Sequence, residues 1–355
     1  MTGKFRFGRY GGWVIMYLVI LAFGLIVSTY RGQPIIFGIK EIQYPMVIVI
    51  YFLIVGGNIN ININKFTSYL VIMGVAVAAL VALQYIFYDK FQFIHFEEDI
   101  QGQYETGIRG LRITLGHTLI ATAAVVAFAK YLEKQGNIYL YTFISLLAYI
   151  ILISKTRMLV MGIIMTSVIL FLIYRRFSLK AISLICIVMI IFIFGITKIS
   201  SITENKLVDV TYADFEGKSA SYITRVNSYL YYIDQFKKSA LIGYGHLSPH
   251  WKGSLATRLM EKGIHISDIG IMHLIYENGL VGLLCFLIGL VRFMRSILKR
   301  EQCIDVAAYI ILAFTTMITF DLFLGDRDIL LFGVFLGFMG ITHKANLNSN
   351  SVVNA

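Results

Sequence analysis

A helix needs about 20 predominantly apolar residues to cross a bilayer, and this chain repeats such a run many times over. Ten runs are read, at 12–29, 42–57, 66–87, 111–129, 138–153, 157–174, 179–197, 270–291, 305–322 and 329–342; the second, fifth and tenth are short. Of the 355 residues, 58% are hydrophobic and only 14% are charged, against about 25% charged in ordinary soluble domains. Too few charges remain to cover a soluble surface. A soluble enzyme, a secreted scaffold and a disordered chain are therefore excluded. Only 3 prolines interrupt the sequence, which suits long helices that satisfy their own backbone in lipid. The expected fold class is all-α, a polytopic membrane protein of about ten transmembrane helices with one large extracytoplasmic loop.

Charge sets the expected orientation. With the N-terminus inside, the inner segments hold Lys4, Arg6, Arg9, Lys65, Lys130, Lys134, Arg175, Arg176, Lys180, Arg292, Arg295, Lys299, Arg300 and Lys344. Only Glu133, Glu301 and the border residue Asp305 oppose them. The other side receives the acidic stretch around Glu97, Glu98, Asp99 and Glu105. This is the positive-inside asymmetry, and it places both termini in the cytoplasm. The net charge of +11 is thus mainly an orientation signal, and nucleic acid is not an expected partner. Cys186, Cys285 and Cys303 lie in or beside apolar runs, so no disulfide framework is implied. The first run lacks a small-residue cleavage site and reads as an anchor.

The expected organisation is an N-terminal bundle over 1–197, a large outer loop over 198–269, a C-terminal bundle over 270–343 and a polar cytoplasmic tail over 344–355. The loop carries nine basic residues, seven acidic ones and three of the seven histidines. Loops this long are usually functional or disordered; Tyr, Trp, Ile and Leu throughout this one argue for partly helical structure. Within it, Ile223, Val226, Leu230, Ile233 and Phe236 recur at three- and four-residue steps, which predicts an amphipathic helix from about 219 to 241.

Three groups of residues could gather at one outward-facing site. Arg157, in Ser154-Lys155-Thr156-Arg157, breaks the charge rule in a short outer turn. It reads either as a snorkelling cation or as an anion-binding guanidinium. Arg225 lies near the start of the predicted helix, where the helix dipole disfavours a cation and a bound anion would relieve the conflict. An ordinary surface arginine fits equally well. His265, in His265-Ile266-Ser267-Asp268, sits at the outer entrance of the run at 270–291, with Asp268 close enough to orient or replace it. Imidazole titrates near working pH, as a general base requires.

Deeper in the same run, His273 and Glu277 are four apart and share a helical face, which makes them a functional hypothesis inside a bilayer. Arg109, Arg112 and His117 line the outer start of the fourth run, as a second wall of the site or a polar helix contact. His246 and His250 have zinc-helix spacing, but Gly245, Pro249 and the missing acidic partner argue against metal. Asp326-Arg327-Asp328 is too short a match to a metal-dependent sugar-transfer motif to carry weight.

Taken together, these features resemble the O-antigen polymerase and O-antigen ligase superfamily of bacterial envelope glycosyltransferases. The resemblance rests on Ser154-x-x-Arg157, on the Arg225 helix closing at Gly243-x-Gly245, and on His265 leading into Glu277-Asn278-Gly279-x-x-Gly282. It implies a GT-C-like membrane enzyme of the bacterial cytoplasmic membrane. Such an enzyme acts on polyprenyl-diphosphate-linked oligosaccharide donors and acceptors at the outer face, with no metal or other cofactor. Arg157 and Arg225 would then bind diphosphate and His265 would be the base. The ligase pattern continues from that histidine to an Asn, whereas this chain has Asp268, which leaves open whether His265 or Asp268 is the functional group. A flippase and chain-length regulator proteins are the implied partners.

Chemistry agrees with this. No ATP is present outside the membrane, so the bond energy must arrive with the substrate. A diphosphate leaving group mainly needs charge stabilisation. The first expectation is a polymerase for capsule, exopolysaccharide or O-antigen repeat units, and the second a ligase of the finished glycan. A non-enzymatic flippase or exporter is the third, which the single large late loop disfavours.

Overall fold

The computed structural model describes residues 7–57, 62–87, 104–107, 110–174, 220–248, 250–251, 264, 269–317 and 328–353. Five helices in it are long and apolar enough to cross a membrane, six if one bent pair counts as a single span. With three shorter apolar helices besides, this is a multi-pass membrane protein. The expected spans at 12–29, 66–87, 138–153, 157–174 and 270–291 correspond to those long helices. The expected span at 179–197 lies outside the described residues.

The chain divides into two compact units. The first joins residues 1–61, 220–306 and 316–355. It opens with α1 (Gly11–Tyr30), α2 (Ile35–Ile42), a 3-10 turn (Pro45–Val49) and α3 (Ile50–Gly56). The expected span at 42–57 is therefore one arm of a pair bent by 48°, with Pro45 at the start of the second arm, where its missing N–H costs nothing.

The second unit, residues 62–219 and 307–315, contains α4 (Ile63–Ile86), β1 (Tyr104–Gly107), β2 (Gly110–Ile113), α5 (His117–Leu132), α6 (Asn137–Tyr149), a π turn (Ile150–Ser154) and α7 (Arg157–Tyr174). Asn62 caps α4, its side-chain oxygen accepting from the Lys65 N–H at 3.1 Å. The antiparallel pairing of β1 with β2 sets Glu105 opposite Arg112. The architecture is helical as expected apart from this one short hairpin, which delays the fourth helix from 111 to His117. Thr106-Gly-Ile-Arg-Gly110 supplies the glycines of a tight turn, and the apolar count over 111–113 could not tell strand from helix. α5 is buried on every side from Ile120 to Val126, as a helix apolar all round must be.

The remaining helices are α8 (Ala220–Lys238), α9 (Ile271–Leu298), α10 (Ile304–Thr316) and α11 (Asp328–Val353). α8, α9 and α11 belong to the first unit, and the division between the units passes through α10. α1 packs on α9 through Trp13, whose ring meets Phe293 edge-on at 5.2 Å and whose indole N–H donates to the Cys285 carbonyl at 2.9 Å.

α8 is the predicted helix, and its aliphatic stripe is not the face it buries. Ile223, Leu230 and Ile233 are exposed, while Ser228 and Tyr232 are buried. Beside a bilayer the aliphatic stripe has an apolar medium to face. The tyrosines bury their rings against one another, and the hydroxyls of Tyr229 and Tyr244 find acceptors.

Candidate functional site

α9 is broken in its first half. Gly279 has φ 61° and ψ −157°, a region open essentially to glycine alone. A break in an apolar helix strands backbone groups that lipid cannot satisfy. Here another segment satisfies them. The Tyr276 carbonyl accepts from the Tyr244 N–H at 2.8 Å, and the Glu277 carbonyl accepts from the Gly245 N–H at 2.8 Å. On the far side of the break, the Leu280 N–H donates to Ala240 at 2.8 Å and the Val281 N–H to Leu241 at 3.3 Å.

The segment that fits into the break is the Gly243-x-Gly245 motif at the end of α8. Gly243 has φ 69°, and a Cβ placed on it would lie 2.5 Å from the Glu277 carbonyl carbon. A Cβ on Gly279 would lie 2.7 Å from the Gly243 nitrogen. Two motifs 30-odd residues apart in sequence are thus one backbone-to-backbone joint.

Around that joint lies a cluster of ionisable side chains. Glu277 Oε1 is 3.2 Å from His273 Nε2, so the predicted i,i+4 pair forms. Glu277 Oε2 is 3.1 Å from His246 Nδ1, a partner no spacing rule could suggest. His246 is 3% exposed, and its Nε2 has no hydrogen-bond partner among the described residues. It faces Gly24 of α1, whose absent Cβ would stand 2.7 Å from that nitrogen. The Asn278 side-chain oxygen is likewise buried and unpartnered, 3.4 Å from the same point.

A carboxylate held on an imidazole Nδ1 fixes the orientation of the ring and decides which nitrogen faces away from it, here Nε2. Among the described residues no group of three metal-ligating side chains is assembled.

Gln33 locks the loop in place. Its amide donates to the His246 carbonyl at 2.8 Å and accepts from the Ser248 N–H at 2.8 Å, with the side chain 1% exposed.

Of the residues singled out from sequence, Arg225 lies on α8, one turn before Tyr229, whose hydroxyl donates to the Ile269 carbonyl at 3.4 Å. Burial pushes the Tyr229 phenol up while the nearby Arg225 charge pulls it down. Tyr232, Ile269 and Tyr276 form a buried cluster joined by Tyr229, Tyr231, Tyr244, Ile264 and Met272. Burial drives the Tyr232 phenol well above its ordinary value.

His265 and Asp268 lie outside the described residues, though the flanking Ile264 and Ile269 both pack on this cluster. Arg157 opens α7 in the second unit, directly after a π turn and after Lys155, which has φ 51° and is 6% exposed. Burial pushes the Lys155 ammonium pKa down. His117 opens α5 and Arg112 sits on β2; Arg109 lies outside the described residues.

Residues 140–287, which hold these motifs, match the family model described as O-antigen ligase. Over that stretch the chain is similar to the O-antigen polymerase and ligase superfamily. Members of this family are glycosyltransferase-like membrane enzymes, ligases and polymerases among them. No curated protein matches the chain. The matched stretch includes Arg157, Arg225, His246, His265 and the Glu277-Asn278-Gly279 break. The sequence marked His246 only as half of a rejected zinc pair, because its acidic partner Glu277 is 31 residues away, and it missed Gln33 because nothing in its surroundings marks it.

Proposed function

We propose that the chain is a polysaccharide polymerase. It joins polyprenyl-diphosphate-linked oligosaccharide repeat units at the outer face of the bacterial cytoplasmic membrane, by metal-independent inverting transfer. The observation that supports this best is Glu277, its side chain 12% exposed, shared by two histidines at a satisfied break in a membrane helix, within the stretch that matches the family. An ionisable cluster in a membrane span is costly, and its default reading is functional.

In the proposed reaction the acceptor hydroxyl oxygen attacks the anomeric carbon of the donor sugar. The bond from that carbon to the diphosphate oxygen breaks, and its electron pair leaves with the polyprenyl diphosphate. Arg157 and Arg225 hold the charge that collects there. The hydroxyl proton passes to His265 or Asp268. Glu277, with His246 and His273, positions the loop between α8 and the start of α9, the loop that carries His265; Arg225 stands on α8 itself.

A ligase is the second reading, favoured by the description of the matching family and opposed by Asp268 standing where the ligase pattern has Asn.

The test is the length ladder of polysaccharide made by a deletion strain complemented with Arg157→Ala, Arg225→Ala or His265→Ala. Each variant should insert normally and yield single-repeat products only. Long chains left on the carrier lipid would identify a ligase. A full ladder from the His265 variant would remove it as the base.

A further inference from the structure

The residue after α1, Arg31, reaches over the turn that follows α8. Its Nη2 donates to Ser239 Oγ at 2.8 Å and to the Gly243 carbonyl at 3.1 Å. The guanidinium carbon lies 4.0 Å from the centroid of the Tyr244 ring. Tyr244 is itself stacked on Tyr276, centroids 4.8 Å apart and 12° from parallel, and its hydroxyl donates to Gln235 at 2.9 Å. The guanidinium is therefore held on a two-ring stack anchored in the tyrosine cluster.

Every one of these contacts is neutral. No carboxylate among the described residues pairs with Arg31, and its Nη1 and Nε donors have no partner among them. The side chain is exposed. Lys237 and Lys238, just before Ser239, add further positive charge, opposed by Asp234, which is ion-paired with Lys238 at 2.9 Å. Gln33, two residues beyond Arg31, shows what gripping this loop requires: a neutral amide, buried, with both ends used. Arg31 brings a charge and several N–H donors that the fold does not use.

A guanidinium immobilised this way has already lost the freedom it would otherwise lose on capturing an anion. It stands at the end of a membrane span, where phosphates are found. Arg225 lies near the other end of α8, about 20 Å from Ser239 at 1.5 Å rise per residue, too far for one diphosphate to touch both.

We propose that Arg31 is a second phosphate-binding point, which takes the diphosphate of a second lipid-linked saccharide while Arg225 takes the first. The proposal rests on the polymerase reading, because a polymerase joins two lipid-linked substrates and a ligase uses one.

The test is a titration of the full-length protein in phosphatidylcholine nanodiscs with geranylgeranyl diphosphate. The wild type should bind two equivalents. Arg31→Gln and Arg225→Gln should each bind one, with at least a tenfold loss at the altered point. Ser239→Ala, which loosens the same turn and leaves the charge alone, should keep both.

Two equivalents in Arg31→Gln would overturn the proposal. So would loss of the same equivalent in Ser239→Ala, which would make Arg31 a brace for the turn. Repeating the titration with phosphatidylglycerol in the nanodiscs separates the two sources of phosphate. Selective loss of the Arg31 equivalent there would reassign the point to a phospholipid headgroup and overturn the substrate assignment. One equivalent, lost in Arg225→Gln and untouched by Arg31→Gln, removes the second point and leaves the polymerase reading standing. No binding by the wild type removes both.

Discussion

Gly279→Ala tests the joint between α9 and the Gly243-x-Gly245 loop. The new methyl carbon would lie 2.5 Å from the Leu241 carbonyl carbon and 2.7 Å from the Gly243 nitrogen. Both are backbone atoms that no rotamer change can move. The loop must retreat by about 1 Å to restore van der Waals contact. That retreat stretches the four bridging hydrogen bonds, now at 2.8 to 3.3 Å, beyond useful range.

At about 1 kcal/mol net for each bond, the loss comes to about 4 kcal/mol. The backbone at φ 61° and ψ −157° adds about 1–3 kcal/mol for a residue with a side chain. A total of about 5–7 kcal/mol is comparable with the whole stability of many domains. In a thermal melt followed by tryptophan fluorescence in detergent, the midpoint should fall by more than about 10 °C.

Gly12→Ala is the matched control. A Cβ there meets nothing within 4 Å, and alanine in a helix interior is favoured over glycine by about 0.5–1 kcal/mol. A Gly279→Ala protein that melts within a few degrees of wild type and still makes a full polysaccharide ladder would refute the joint.

Gln33→Leu should remove two buried hydrogen bonds, costing about 2–3 kcal/mol, and a melt in the same detergent checks it. Arg9, which pairs with Glu301 and Ser296 elsewhere in the unit, should be untouched. Lys155→Met should raise the melting midpoint at neutral pH. Burial holds the Lys155 pKa below its ordinary value, so the unfolded chain binds this proton more readily. Wild-type stability should then rise with pH between the depressed value and the ordinary lysine pKa of about 10.4. The gap between variant and wild type should close over that window, and a gap that stays constant with pH would contradict it.

Apolar length alone located most helices, because a bilayer imposes one length and one element on a long run. The His273–Glu277 pair was legible because helix geometry brings residues four apart together. The break at Gly279 was not. A glycine inside an apolar run does not by itself mark a break, and the groups that satisfy this one lie in another segment. The hairpin at 104–113 was hidden for a different reason: the two apolar residues at its end, Leu111 and Ile113, read equally well as the start of a helix. Which face of α8 is buried was not legible, because the rule that apolar residues point inward presumes water on the outside. Arg157 and Arg225 announced themselves only as charges on the unexpected side, which says where to look and not what they touch.

The break in α9 also bears on how this domain could be transplanted. The loop after α8 and the residues flanking Gly279 share their backbone pairing as two strands of a sheet would, so neither is a self-sufficient part. A chimaera that exchanges the loop after α8 alone would keep the host's kink and bring a foreign plug. Four donors and acceptors would then be left facing lipid. Grafts between this chain and one similar to it should therefore move residues 239–246 and 276–282 together, as a lock is moved with its key.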